Sequence, residues 1–317
     1  MNFRKIPDNY APVDGGLLYE IDLGGVRDTV EVAIVDTTDQ TTVATLRFHR
    51  TDTVRIDIAD YVLRMFRPRP SGGPAGVRTD DGRTVTAAIE VDGTRSPERI
   101  FTLLAFDGLA RLLTTMPAER TLAFGEFDEI AFYAPDGGTI TVTADNRTIA
   151  RHELPSSDAI GVLHISGSDF QPSDTALEVL FEAGGRTDEL HYERVCRTPE
   201  SVRLAWVASS GAVEHYTFPT CSSRRLTVDK ERFYGKRGYR TTALRAEAAL
   251  LLVSDFEPQP MLDALDEILT ARRVWRVDGE QFTEVDVVSS STTRLYDGIP
   301  GSVAVEIRTR KREEGLQ

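Results

Sequence analysis

The chain has 317 residues, 40% of them apolar and 27% charged, which excludes wholesale disorder; the length favours two domains over one. Fifty acidic residues against 37 basic ones leave a formal charge of −13, which argues against a protein that coats nucleic acid through its overall charge. Two cysteines, Cys196 and Cys221, are too few for a disulfide framework, and the plain expectation is two ordinary thiols unless strands bring them together.

Period-two alternation dominates the chain, as expected of strands with one buried and one wet face. The 33 threonines favour the same conformation. Met1 to Asp8 carries Arg4 and Lys5 with no apolar stretch behind them, so neither a signal peptide nor a membrane span is expected. That reading keeps the chain on the cytoplasmic side, or has it released inside a particle. Val30, Val32 and Ile34 share one face, as do Val54, Ile56 and Ile58. Asp57 to Phe66 has room for a turn or two of helix, ended by Arg67-Pro68-Arg69-Pro70. Pro68 to Gly76 reads as a mobile surface loop, and Thr79 to Val85 as a hairpin tip around Asp81-Gly82. Ile100 to Phe106 reads as a strand turning at Asp107-Gly108.

Alternation continues at Ile140-Val142-Ala144, Leu177-Val179-Phe181, Val202-Leu204-Trp206, Tyr216-Phe218 and Val303-Val305-Ile307. Gly137-Gly138 and Gly184-Gly185 read as hairpin turns. Pro155-Ser156-Ser157-Asp158 is the expected domain boundary, dividing residues 1–154 from 155–317. The strongest helix signal is Gln259 to Arg273, with Pro260 near its start and an apolar stripe of Leu262, Leu265, Ile268 and Leu269. The expected fold is therefore mainly β: two antiparallel β-sandwich-like domains, the second with one amphipathic helix near 259–273. Val32, Ile34, Ile56, Phe132, Val142, Val179, Trp206, Phe218, Leu265, Ile268, Trp275 and Val305 are its expected apolar anchors.

Catalytic boxes are not evident. None of His49, His152, His164, His191 and His215 has a second ligand at zinc-box spacing, and no calcium loop occurs, so no metal is expected. No nucleophile elbow exists; Gly167-Ser168-Asp169 lies near His164 but reads as a strand end entering a polar turn. Phosphate loops and dinucleotide fingerprints are missing, so no cofactor is expected. Glu126, Asp128, Glu129, Glu178, Glu182, Glu193 and Glu214 supply carboxylates for glycoside hydrolysis, but among 50 acidic residues such pairs arise by chance.

One stretch departs from the acidic background. Arg224 to Arg240 holds seven cations against Asp229 and Glu231, with aromatic residues interleaved. Arg224, Arg225, Arg232, Phe233, Tyr234, Lys236, Arg237, Tyr239 and Arg240 are the candidate partner-contact residues. Such a mixture suits a single-stranded nucleic-acid groove or an acidic protein surface, and the net charge of −13 favours the latter. The basic tail Arg308 to Arg312 has the same ambiguity and reads as a frayed terminus.

Val202 to Phe218 reads as a Trp strand, a tight turn at Ser210-Gly211 and a strand ending Tyr-Thr-Phe. It is followed by the Met261–Leu269 helix, the strand Arg273-Val274-Trp275 and the polar stretch Phe282 to Ser291. Over about the last 120 residues this order resembles tail-associated structural proteins of phages and prophages. Leu112 to Pro117 and Phe127 to Phe132 extend the resemblance weakly into the first half. It implies a non-enzymatic β-rich subunit that assembles with copies of itself or with other virion and tail subunits. It carries over no catalytic residue. The alternative is a carbohydrate-binding or adhesin module using Tyr133, Tyr192, Tyr234 and Tyr239; a glycoside hydrolase is the third reading.

Overall fold

Alternation in the sequence becomes strand pairing along most of the computed structural model, which describes residues 1–79, 82–103, 108–145, 147–292 and 298–309. The N-terminal strands are β1 (Asn2–Lys5), β2 (Ala11–Pro12), β3 (Leu18–Asp36) and β4 (Thr41–Asp57). After the short helix α1 (Ala59–Val62) come β5 (Gly76–Thr79), β6 (Thr84–Val91), β7 (Thr94–Arg95) and β8 (Arg99–Thr102). All of these strands except β5 form one sheet around the long antiparallel β3–β4 pair. Val30, Val32 and Ile34 are buried there with Val54, Ile56 and Ile58, as the alternation requires.

The middle of the chain is a two-layer sandwich. Its strands are β9 (Arg111–Leu113), β10 (Glu119–Ala123), β11 (Phe127–Ala134), β12 (Gly138–Ala144), β13 (Arg147–Leu154), β14 (Ser157–Ser166), β15 (Ala176–Ala183) and β16 (Arg186–Val195). One sheet runs β5-β14-β11-β9 and the other β10-β16-β15-β12-β13. Ile130 and Phe132 of the first pack against Ile140, Val142, Val179 and Phe181 of the second. Gly161 must lack a Cβ because the Phe132 ring fills that space.

The last unit is a single seven-stranded sheet with one helix. It is built from β17 (Val202–Val207), β18 (Val213–Phe218), β19 (Thr220–Gly235), β20 (Gly238–Val253), the helix α2 (Gln259–Thr270), β21 (Val274–Asp278), β22 (Gln281–Val287) and β23 (Ala304–Thr309). Its order is β18-β17-β21-β22-β23-β20-β19. Leu204, Trp206 and Phe218 point to α2, meeting Leu262, Leu265 and Ile268. The opposite face lies on the sandwich, with Ala205, Val213, Trp275 and Val277 against Phe127. The layers therefore run sheet, sheet, sheet, helix, and every residue of β11 is buried.

The structure is mainly β and largely antiparallel, with a sandwich and one substantial helix, as expected, and all twelve expected anchors are buried. Several local expectations are corrected. Pro155-Ser156 is no domain boundary: it links β13 to β14, strands of the two facing sheets whose Leu154 and Leu163 share one core. The apolar side chains instead gather in three main cores, spanning Val13–Phe101, Ala110–Tyr192 and Val202–Ile307, the last also taking in Met116. Thr79 and Thr84 do not close a hairpin, because β5 pairs β14 in the sandwich while β6 pairs β3 and β8. Gly137-Gly138 carries the chain from one sandwich sheet to the other, whereas Gly184-Gly185 is the expected hairpin turn between β15 and β16. The strand expected at Ile100 to Phe106 is found as β8; its continuation at 104–107, the Asp80-Asp81 tip and the tail from 310 lie outside the described residues. Cys196 and Cys221 are free thiols.

Candidate functional site

The basic stretch forms a projecting arm. β19 and β20 pair antiparallel from Thr220↔Val253 to Gly235↔Gly238, leaving Lys236-Arg237 as a two-residue loop with Gly238 at φ 92°. Only the base is braced, where Ala249–Val253 pairs β23. Among the described residues, the ribbon from Leu226↔Ala248 to the tip has no third strand. Its ten residues of β19 reach about 33 Å. All nine expected contact residues are exposed. Arg224 and Arg225 sit at the base, with Arg225 paired to Glu306, and the other seven lie towards the tip. The register brings Tyr234 and Tyr239 together, edge to face at 5.1 Å, and sets Phe233 opposite Arg240.

A second feature was only half visible in the sequence: a buried charged seam around β11. Asp128 faces the opposite sandwich sheet, where it accepts hydrogen bonds from Arg120 of β10 (3.0 Å) and from the Tyr192 hydroxyl of β16 (2.8 Å). Glu129, the next residue, faces β18. Its carboxylate meets Nε2 of His164 on β14 (3.2 Å) and Nε2 of His215 on β18 (3.1 Å). Ser71 donates to it through both its amide and its hydroxyl, at 2.7 Å each. The loop expected to be mobile is therefore pinned at Ser71. Glu126 accepts from the Ala123 amide and the Thr217 hydroxyl and is ion-paired with Arg197. Arg203 donates to the Phe127 carbonyl (2.6 Å) and to Thr217 (2.9 Å).

Serine, histidine and glutamate in contact invite comparison with a hydrolytic triad, and the geometry does not provide one. Ser71 Oγ (3.0 Å) and Glu129 Oε1 approach the same nitrogen of His164, whereas a relay needs the acid on the other nitrogen. His164, His215 and Glu129 are all buried. The seam joins the Ser71 loop, the sandwich and the last sheet; its chemistry is that of a clamp. Gly167-Ser168-Asp169 is the expected polar turn, a capping box on Ser166. Among the described residues, no group of three or more His, Cys, Asp or Glu is placed to hold a metal ion.

Burial of the seam sets opposite tendencies in its acids. Burial would raise Glu129, yet hydrogen bonds from His164 and His215 hold it far below the usual carboxylate range. Burial likewise opposes ionisation of Asp128, and the charge of Arg120 overrides it. Glu214 goes the other way: burial pushes it up to about 7, only partly offset by Arg120 at 3.7 Å. Arg120 lies beside both Asp128 and Glu214, so two buried carboxyls share one guanidinium there. A raised folded pKa means that the folded state binds the extra proton. Stability from Glu214 is thus complete below about pH 4.5 and lost as pH rises through 7, in all about 3 kcal/mol. Glu129 and Asp128 act oppositely, losing stability as pH falls below the unfolded carboxylate range. Glu214→Gln should remove the decline between pH 5 and pH 8 in urea midpoints and leave the acid limb. An unchanged decline would assign it to another group.

A cavity of about 650 Å³ lies between the α1 region and the C-terminal end of α2. Asp57, Asp60, Arg64, Arg272 and Arg273 line it, and no carboxylate of the seam does. Asp57 is occupied in accepting from the Leu17 and Ala59 amides. Of the four tyrosines considered for sugar binding, Tyr133 and Tyr192 are buried in the core. Tyr234 and Tyr239 alone are presented to solvent, 75% and 76% exposed.

No family model matches the chain, and no curated protein is similar to it in sequence. Solved structures overlap it loosely. Extracellular domains 3–5 of Drosophila OTK are 9% identical, with 75% of this chain and 85% of that one covered at a TM-score of 0.25. The titin I-band fragment I67–I69 is 10% identical, with 79% and 92% covered at 0.20. Overlaps this slight carry no argument about architecture or activity. No helix among the described residues is long and apolar enough to cross a membrane.

Proposed function

We propose that this chain is a non-enzymatic assembly subunit of a phage or prophage particle, associated with its tail. The observation that carries the reading is the arm. An isolated two-stranded ribbon is marginal in water, yet here one extends about ten residue pairs past its last supporting strand. Its edges offer unpaired backbone groups, which proteins normally cover or blunt. Covering them with a neighbouring subunit turns a liability into a contact. Between Arg224 and Arg240 the arm carries +5, leaving −18 for the rest of the chain, so a like copy is an attractive partner. The order of elements in the last 120 residues, which resembles tail-associated proteins, supports the same reading.

On this reading the purified chain associates. Light scattering across a concentration series should show the weight-average mass rising above 35.1 kDa, more steeply at low salt. A mass fixed at the monomer value up to high concentration would remove the proposal's main support.

A glycan-binding module remains the second reading because Tyr234 and Tyr239 present adjoining rings at the arm tip. A glycan array with no binding would remove it.

A further inference from the structure

The two faces of the arm differ. On one, β19 places Arg224, Leu226, Val228, Lys230, Arg232 and Tyr234, opposite Ala248, Ala246, Thr241 and Tyr239 of β20. It has three cations, no acid on β19, and exposed apolar groups; Leu226 is 65% exposed. The other face mixes Arg225 and Arg240 with Asp229, Glu231 and Glu247. The first face continues the side of the sheet on which Leu250 and Leu252 pack against α2, but the helix does not reach it. Among the described residues nothing covers this apolar and cationic surface.

The outer face of the sandwich offers the complement. Its five-stranded sheet exposes Glu119, Glu153, Glu178, Glu182, Glu189 and Glu193. The register and the contacts Thr139 to Glu182 and Thr143 to Glu178 place them on one side. Arg151 pairs with Glu153, so the face carries about −5 against the arm's +5. Half-buried Thr141 and Leu180 leave a shallow, partly apolar centre between the acids. Strands of 8 and 10 residues make the sheet about 26–33 Å long, matching the free length of the arm.

We propose that the arm of one copy docks, cationic face down, on the outer glutamate face of the sandwich of a second copy. This rests on the assembly reading and names the surface that receives the arm. Arm and receiving face are different patches, so the contact is head-to-tail and generates a ring if its rotation closes, or a filament if it does not. A ribbon on one sheet face is a small contact, so closure would add strength that one contact lacks.

Charge-swapped full-length chains test this. Lys230→Glu with Arg232→Glu, and separately Glu178→Lys with Glu189→Lys, should each raise the concentration of half-association about tenfold or more. Both pairs in one chain should return it to within about threefold of the original. Thermal midpoints should stay constant, since all four side chains lie at the surface. Loss of association with the arm pair but none with the face pair would overturn the docking surface and leave the assembly reading standing. An original chain that never associates would overturn both. Arm-dependent binding of a single-stranded oligonucleotide at 0.15 M salt, without self-association, would assign the arm to phosphates and overturn the proposal.

Discussion

Replacing Asp128 by alanine should destabilise the protein by about 3–5 kcal/mol, read as a lower urea midpoint at pH 7. The carboxylate is buried and accepts from Arg120 and Tyr192. Without it Arg120 retains Thr114, the Pro117 carbonyl and Glu214 at 3.7 Å, a carboxyl that burial pushes towards its neutral form. A guanidinium is then left in the interior with its charge poorly balanced, and a phenol loses its acceptor. Asp128→Asn keeps the shape and one acceptor and should cost less. A change below about 1 kcal/mol for the alanine variant would mean that solvent reaches the seam.

Trp206→Ala should have an effect of similar size, about 3–5 kcal/mol. The indole is fully buried between β17 and α2, in the core that holds the sheet from which the arm grows. Truncation leaves a cavity lined by strand and helix residues that cannot collapse together without moving α2. Hydrogen exchange should therefore quicken in α2 and in β17 and β21, while the exposed ribbon, whose amides already face solvent, changes little. Equal quickening across the sandwich core would instead show that all three cores unfold as one unit.

The sequence made the strands legible because the buried face repeats every second residue. Val202-Leu204-Trp206 is buried as the alternation requires, and the helix expected near 259–273 runs over Gln259–Thr270. What it concealed is where strands go. Thr79 and Thr84 flank a turn signal, yet they enter different sheets, since local turn chemistry does not specify a distant partner. Pro155-Ser156 has the composition of a linker but joins two layers of one core. The seam is hidden in the sequence for a related reason. In the sequence Asp128 and Glu129 are two acids among fifty, although adjacent charges inside the apolar run Phe127–Ala134 are a sign of a strand buried on both faces. Arg120, Arg203 and Ser71, which balance those charges, come from distant segments that periodicity does not connect. Charge alone marks the arm in the sequence, whereas its length and lack of support are properties of the strand register.

On the proposed reading this arm holds copies of the chain together. Arg225 and Ala249 face each other across the ribbon, so residues 226–248 can be replaced by an Asn-Gly turn, at the cost of the exposed Glu247–Arg308 ion pair, a surface contact of little weight. Light scattering on the intact and shortened chains at matched concentrations is the direct measurement. The mass should rise above 35.1 kDa for the intact chain only, with closely similar thermal midpoints for both. Superimposable mass curves would contradict it.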